Sequence, residues 1–354
     1  MKIDHIHFFV EDAIAQRRWF ANYLGWTPEK SLILPDRMVE ILRYRHTFFV
    51  VSSPRRADSP VADYLRHHPP GVADVAIAVD DLAAMFSRVK AKQHTSGSFA
   101  TILDHLTDLR HQTHSPVWTR IEGWPGIQHT LIEHQPPATY PLKHLPQAPQ
   151  DIDHVVLNVP QGQLQAATTF YQHLLGLQKQ QSFKIQTDRS GLQSQVLFCP
   201  ENQVYLNINE PTSKNSQIQT FLDVNQGAGI QHIALHGDPI VATVAALRRR
   251  GMALLAVSRA YYDQLQQRLQ TCPRVPMGAE EWQQIVEQQI LIDWQLQKPE
   301  SLLLQTFTRP IFAKNHFFFE FIERRCAAKG FGEGNFLALY QAIEAAEAEV
   351  LGVR

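Results

Sequence analysis

Glu320 stands inside a run of phenylalanines, HFFFEFIERR, from His316 to Arg325. In an extended strand, alternation puts Phe318, Glu320 and Ile322 on one face and Phe317, Phe319 and Phe321 on the other. The carboxylate therefore has apolar neighbours on its own face. Taking an ionised carboxylate out of water is costly unless a cation, a metal or good hydrogen bonds compensate it. Two histidines have the same setting on short strands: His154 lies between Ile152 and Val156 in DIDHVVLNV, and His232 between Ile230 and Ala234 in GIQHIALH. Two imidazoles and one carboxylate from separate strands would make a facial triad, the set that leaves three adjacent positions open on non-haem Fe(II) for a chelating substrate and dioxygen. A divalent cation would then offset the burial of Glu320. The residues alone leave blander readings open. Among 17 histidines, a strand histidine is often a hydrogen-bonded core or surface residue, and alternation also brings Arg324 to the side of Glu320 as an ion-pair partner.

The elements that must position these side chains read as two similar halves. IDHIHFFVEDAIAQRRWFANYLGW begins at Ile3 and IDHVVLNVPQGQLQAATTFYQHLLGL at Ile152, each a strand, a turn and an amphipathic helix ending in Leu-Gly. GVADVAIAVDDLAAMFSRVKAK from Gly71 answers GIQHIALHGDPIVATVAALRRRG from Gly229. Such repetition governs the fold assignment. Further strands are expected at Arg45 to Ser52, Ser194 to Asn209 and Leu302 to Thr308. The whole reads as α+β, with curved sheets backed by helices. His134 to Gln150 holds five prolines in HQPPATYPLKHLPQAPQ and reads as an extended connector. It separates an N-terminal module, residues 1–140, from a C-terminal module, residues 150–354. Aligning the repeats sets His5 opposite His154, Asp74 opposite His232 and Thr130 opposite Glu320. One ligand type of three recurs, so the metal site is expected in the second module and none in the first. From Gly330 a Gly-rich turn leads into a helix whose Phe336, Leu339, Tyr340 and Ile343 share one face.

Bulk properties narrow the partners. At 354 residues and 44% hydrophobic content the chain can bury two ordinary cores. A formal charge of -1 offers no basic surface for nucleic acid. The start, MKIDHIHFFVEDA, is too charged for a secretory signal, and no apolar run approaches the length of a bilayer span. We expect a cytoplasmic protein acting on a small molecule, without nucleic-acid or membrane partners. Cys199, Cys272 and Cys326 are too few and too scattered for a disulfide framework or a thiolate zinc site, and we read all three as buried thiols.

The segments DHVVLNV, SGLQSQVLF, NINEP, SQIQTFL, GAGIQHIAL, AYYDQL, LLLQTF, FFFEFIERR and GFGEGNF follow one another in an order that resembles the 4-hydroxyphenylpyruvate dioxygenase family of the vicinal oxygen chelate superfamily. They cover Asp151 to about Gly352 densely. The first half resembles the family in topology and in stretches such as DHIHFFVEDA and HPPGVADVA. The resemblance implies two modules of paired βαβββ units, Fe(II) as the cofactor, and His154, His232 and Glu320 as its ligands. It implies oxidative decarboxylation of 4-hydroxyphenylpyruvate with dioxygen, ring hydroxylation and side-chain migration to homogentisate, and a homo-oligomer. Matched one at a time, Ser194, Asn209 and Gln217 would position the phenol. Gln231 matches another polar family position, although alternation turns it away from His232. Gln305 and Phe307 share a face of LLLQTF; a hairpin would bring both beside Glu320, with Phe307 on the substrate ring. Phe331, Asn335 and Phe336 match the C-terminal helix that closes the pocket. Among these, Gln305, Phe307, Asn209 and Gln217 are the expected catalytic contacts.

The sequence departs from the family's pattern at Tyr340, where phenylalanine is usual, at RPIFAKNH, and across the first half. One rival is hydroxymandelate synthase, which shares iron, substrate and triad but oxidises the benzylic carbon; there a smaller aliphatic residue usually matches Phe307. An extradiol catechol dioxygenase and a non-catalytic module that sequesters an aromatic ligand are the others. Tocopherol or plastoquinone synthesis and tyrosine breakdown are equally open destinations for homogentisate.

Overall fold

The structure, a computed structural model, describes residues 2–86, 97–110, 116–133, 151–186, 190–200, 204–271, 275–336 and 338. The connector expected at His134 to Gln150, Cys272, and Leu339, Tyr340 and Ile343 of the expected C-terminal helix lie outside these residues.

The first half runs β1 (Lys2–Phe9), α1 (Ala13–Trp19, continued by a π-helical turn Phe20–Leu24), β2 (Thr27–Ile33), β3 (Arg37–Tyr44), β4 (Thr47–Pro54), α2 (Pro60–His67), β5 (Gly71–Val79), α3 (Leu82–Phe86), α4 (Gly97–Leu109), β6 (Val117–Glu122) and β7 (Gln128–Glu133). Its strands form one sheet in the order β2-β3-β4-β1-β5-β7-β6. The second half repeats the plan with β8 (Ile152–Asn158), α5 (Leu164–Leu175), β9 (Gln178–Gln186), β10 (Gly191–Cys199), β11 (Val204–Pro211), α6 (Gln217–Asn225), β12 (Gly229–His236), α7 (Ile240–Arg249), α8 (Arg259–Thr271), α9 (Ala279–Gln288), β13 (Leu291–Gln295), β14 (Lys298–Phe307) and β15 (Phe318–Arg324). The second sheet is ordered β13-β14-β15-β12-β8-β11-β10-β9. The two orders match over the seven strands of the first sheet, with β8 answering β1, β12 answering β5 and β15 answering β7. The second sheet is built of two βαβββ units, the later one with α8 and α9 as extra helices. In the first sheet the later unit has one strand fewer among the described residues.

By the density of internal contacts the chain divides into Met1–His232 with Phe312–Phe317, and Ile233–Ile311 with Phe318–Arg354. That division passes through the middle of β12, a strand hydrogen-bonded within the second sheet.

Local chemistry accounts for the repeated helix signals. Asp12 caps α1 by accepting from the backbone N–H groups of Ile14 and Ala15. Glu210, at the end of β11, accepts from Gly162 and Leu164 N–H and serves the start of α5 from a distance. The two Leu-Gly pairs end these helices with Gly25 and Gly176 at φ 73° and 67°, the left-handed conformation glycine adopts without strain. In α5 the buried Leu164, Ala167, Thr168, Tyr171 and Leu174 form one face. Each large apolar side chain so buried contributes about 1.5–3 kcal/mol. No helix among the described residues is long and apolar enough to cross a membrane.

Cys199 is buried, as read from the sequence, but Cys326 is exposed. β15 ends at Arg324, and Cys326 falls in the following turn at φ 48°. There its carbonyl accepts from Ser301 and no sheet covers the thiol.

The first sheet keeps charge in its interior. Asp74 of β5, fully buried, accepts from Thr130 N at 2.9 Å and Thr130 Oγ1 at 2.5 Å. Arg120 of β6 reaches the same carboxylate at 3.4 Å and also donates to Gln128. Beside them α4 packs Ile102, Leu103 and Leu106 against Val39, Ile41, Phe48, Val50 and Ala76. Removing one partner of a buried ion pair strands the other, at a cost of about 3–5 kcal/mol. We expect Asp74→Ala to lose stability of that order in urea unfolding, and Asp74→Leu with Arg120→Met to recover much of it. A loss below about 1 kcal/mol for the single variant, the level of an exposed pair, would contradict a buried pair of structural importance.

Candidate metal centre

Three adjacent strands at the middle of the second sheet, β15, β12 and β8, carry Glu320, His232 and His154. One donor atom from each lies within 4.8 Å of the other two, with His154 and Glu320 buried and His232 partly so. The two imidazole rings meet edge to face, 5.6 Å between centroids. His154 Nδ1 lies 2.8 Å from Asp153 Oδ1. An Nδ1–H donated to that carboxylate fixes the tautomer and leaves Nε2 with its lone pair toward the cluster. Desolvation of the His232 ring, reinforced by His154, pushes it well below the ordinary histidine range. A neutral imidazole is the form that ligates a metal. Two neutral nitrogens and one carboxylate oxygen suit a divalent ion of intermediate softness with open positions, so the residues present fit a non-haem iron site.

The same three places in the first sheet differ in kind. His5 Nδ1 contacts Asp4 at 2.7 Å, as His154 contacts Asp153, but Asp4 is also bound by Arg110 at 2.9 Å. At the other two places stand Asp74 and Thr130, bonded to each other and to Arg120. A guanidinium there takes the part of the cation. The repeated Ile-Asp-His is thus a histidine with its orienting carboxylate, a signal in the sequence that went unused for Asp153.

The residues expected around the metal fall as follows. Antiparallel register sets Phe307 of β14 directly opposite Glu320, and Gln305 opposite Ile322, so all four share a face. Phe307 is buried with Leu255, Leu291 and Phe318, and Tyr261 and Ala338 pack on that cluster. Arg324, the alternative partner weighed for Glu320, donates to the carbonyls of Ala328 and Gly330 at 3.1 and 2.8 Å and lies over Phe331. Ser194 of β10 pairs in register with Asn209 of β11, which pairs with Asn158 of β8. This cross-strand row lies on the face that carries His154. Gln217 is buried at the first turn of α6, which packs on β8 and β11. Gln231 is buried on β12, where alternation gives it the face opposite His232. Phe331 and Asn335 are buried and Phe336 is partly exposed.

The turn that bears these last residues is tightly held. Gly332, at φ 75°, lets Gln305 come so close that its carboxamide takes the place of any Cβ. Asp293 accepts from Gly334 N–H at 2.9 Å, and Tyr261 donates to Asn335 Oδ1 at 2.8 Å. Burial raises the Asp293 carboxyl above its ordinary range. A short 3₁₀ turn, Glu333–Asn335, stands just before the segment expected as the C-terminal helix. Ser194 Oγ, Gln305 Oε1 and Asn335 Nδ2 are buried and have no hydrogen-bond partner among the described residues. Native interiors leave few such atoms, and each calls for an explanation such as a ligand. Asn158 and Asn207 share this condition, though nothing in the sequence marked them.

Residues 153–267 match the Glyoxalase/Bleomycin resistance protein/Dioxygenase superfamily. The chain is 34% identical to the 4-hydroxyphenylpyruvate dioxygenase of Pyricularia oryzae, over 85% of this chain and 78% of that one. It is 31% identical to that of Caenorhabditis elegans, over 96% and 90%. Among solved structures, a triple mutant of 4-hydroxymandelate synthase from Streptomyces coelicolor superposes with a TM-score of 0.78 at 25% identity, covering 98% of this chain and 99% of that one. The duplicated sheet of βαβββ units is accordingly a two-module vicinal oxygen chelate fold. With this identity over most of its length and with this architecture, the chain belongs to the 4-hydroxyphenylpyruvate dioxygenase family.

Proposed function

We propose that the protein is an Fe(II)-dependent dioxygenase that converts 4-hydroxyphenylpyruvate and O2 to homogentisate and CO2. The observation that carries this reading is the convergence of two imidazoles and a carboxylate on three adjacent strands, in a chain of this family. Iron, when bound, supplies dioxygen activation, with the 2-oxo acid as the source of two electrons. No outside reductant enters the balance: the substrate's own carboxylate leaves as carbon dioxide, and both oxygen atoms of O2 end in homogentisate, one in the new carboxylate at the former keto carbon and one as the ring hydroxyl.

The chain's own groups do the rest. His154 and His232 offer neutral nitrogen donors, and Asp153 keeps the His154 proton on Nδ1, away from the ligating side. Glu320 contributes the one negative charge, leaving the ion net positive toward a chelating oxo acid. Phe307, across from Glu320, gives the substrate ring an apolar wall. Ser194, Asn209 and Gln217 hold the phenol end, Gln305 presents its amide near the reacting end, and Gln231 acts from behind the sheet. Phe331, Asn335 and Phe336 begin a C-terminal lid that excludes water from the reaction. We assign this site to a catalytic module, residues 150–354, with residues 1–140 as a scaffold module without metal. We further infer from the sequence a cytoplasmic homo-oligomer.

The likeness to a 4-hydroxymandelate synthase structure makes benzylic oxidation the second reading. Phe307 favours attack on the ring, because its bulk confines the ring where a smaller aliphatic residue would not.

Incubation with Fe(II), ascorbate, oxygen and 4-hydroxyphenylpyruvate is expected to give homogentisate; hydroxymandelate as the product would overturn the choice of reaction. His154→Ala, His232→Ala and Glu320→Ala are each expected to abolish turnover. Asp153→Asn should weaken metal affinity about 10–100-fold, as loss of a supporting partner does. Near-normal turnover in any of the three ligand variants would refute the assignment. Phe307→Val should shift product toward benzylic oxidation, whereas unchanged homogentisate output would remove it from the substrate ring.

A further inference from the structure

Two carboxamides that the roles above leave unused lie on the face of the second sheet that carries His154. Alternation puts Val156 and Asn158 on that face. Parallel register sets Asn207 beside Val156 and Asn209 beside Asn158, and antiparallel register sets Val196 beside Asn207. Asn158 is fully buried and Asn207 is 5% exposed. Asn158 Oδ1 accepts from Asn209 Nδ2 at 3.4 Å, but among the described residues Asn158 Nδ2 has no hydrogen-bond partner, nor has Asn207 Oδ1. Whichever way the Asn158 amide is turned, Asn209 engages one end and leaves the other.

Leaving such atoms buried without a partner is costly to folding. At position 207, between two valines, an apolar side chain would avoid that cost. The two atoms differ in sense: one is an N–H donor and the other a carbonyl acceptor. A hydroxyl satisfies both at once, because it accepts on oxygen and donates its proton. The amides stand roughly 6.6 and 13 Å from His154 along the strand direction, one and two residue pairs away. That is where the far end of an aryl oxo acid held at His154 would reach.

We propose that Asn158 and Asn207 grip the phenolic hydroxyl of the substrate, Asn158 Nδ2 donating to its oxygen and Asn207 Oδ1 accepting its proton, and so select hydroxylated over plain aryl oxo acids. The proposal rests on the reading of 4-hydroxyphenylpyruvate as substrate. Because Asn207 must receive a proton, the pair favours the neutral phenol over the phenolate. It also discriminates against a fluorine of similar size, which cannot donate.

The test compares 4-hydroxyphenylpyruvate with 4-fluorophenylpyruvate in the wild type, Asn207→Val and Asn158→Leu. Calorimetric affinity is measured anaerobically on the iron-loaded and metal-free chain, kcat/KM in air, and Tm without ligand. In Asn207→Val the preference for the hydroxyl should fall about tenfold or more, through weaker binding of the hydroxy compound alone. Its Tm should stay level or rise, since an unpaired buried acceptor has been removed; a purely structural asparagine would lower Tm and weaken both compounds alike. Asn158→Leu should lose the same preference with some loss of Tm, because Asn209 loses its acceptor. A wild type that binds both compounds equally, or an Asn207→Val variant that keeps the preference, overturns the proposal. Should the wild type bind the hydroxy compound selectively yet form no homogentisate, the reaction assigned above fails and the hydroxyl grip stands.

Discussion

A buried carboxylate grouped with two imidazoles, inside a sheet, is the constraint from which the second half of this protein follows. Glu320 is 3% exposed. At that depth an ionised group is tolerated only where positive charge and hydrogen bonds answer its lost hydration. The answer is built into the sheet, whose strands hold the three donors within 4.8 Å. β15, β12 and β8 are neighbours, and each contributes one residue of the proper parity. A slip of one residue in any strand would turn its ligand to the opposite face and dissolve the cluster.

The first sheet meets the same problem with other means. Its strand order is the same, and its corresponding strands carry His5, Asp74 and Thr130. Here a guanidinium, Arg120, and the Thr130 hydroxyl satisfy the acid within the chain. The two sheets thus show one scaffold carrying either a closed ion pair or a cluster suited to a metal. In the closed version the acid is satisfied by the chain's own groups, and α4 packs against the same sheet. The second sheet instead keeps several polar atoms without partners among the described residues: Ser194 Oγ, Asn207 Oδ1, Asn158 Nδ2 and Gln305 Oε1. That condition is costly for folding and useful for binding, because a ligand that pairs them recovers the cost.

Much of this was legible in the sequence where a residue broke the pattern of its own strand. A glutamate among phenylalanines and histidines among valines and isoleucines stand out at period two, and the repeated Ile-Asp-His and Leu-Gly fixed the alignment of the halves. The hairpin joining LLLQTF to FFFEFIERR followed from a short connector, and its register does bring Phe307 opposite Glu320. Asn158, the last residue of its strand, reads equally well as a solvated terminus, and Asn207, in mid-strand, as a residue of the solvated face; only burial shows otherwise. Asp153 escaped because alternation assigns it the face opposite His154; adjacency lets its side chain reach Nδ1 all the same. Cys326 was misjudged because a thiol carries no signal of the turn that exposes it.

The central claim is that these three donors together bind one ferrous ion. Anaerobic titration of the full chain with Fe(II) measures it directly, with Glu320→Ala, whose fold should persist, as the reference. The account predicts saturation at one iron per wild-type chain and loss of that binding in the variant. Well-folded wild-type protein that takes up no iron, or a variant that binds it as tightly, would contradict it.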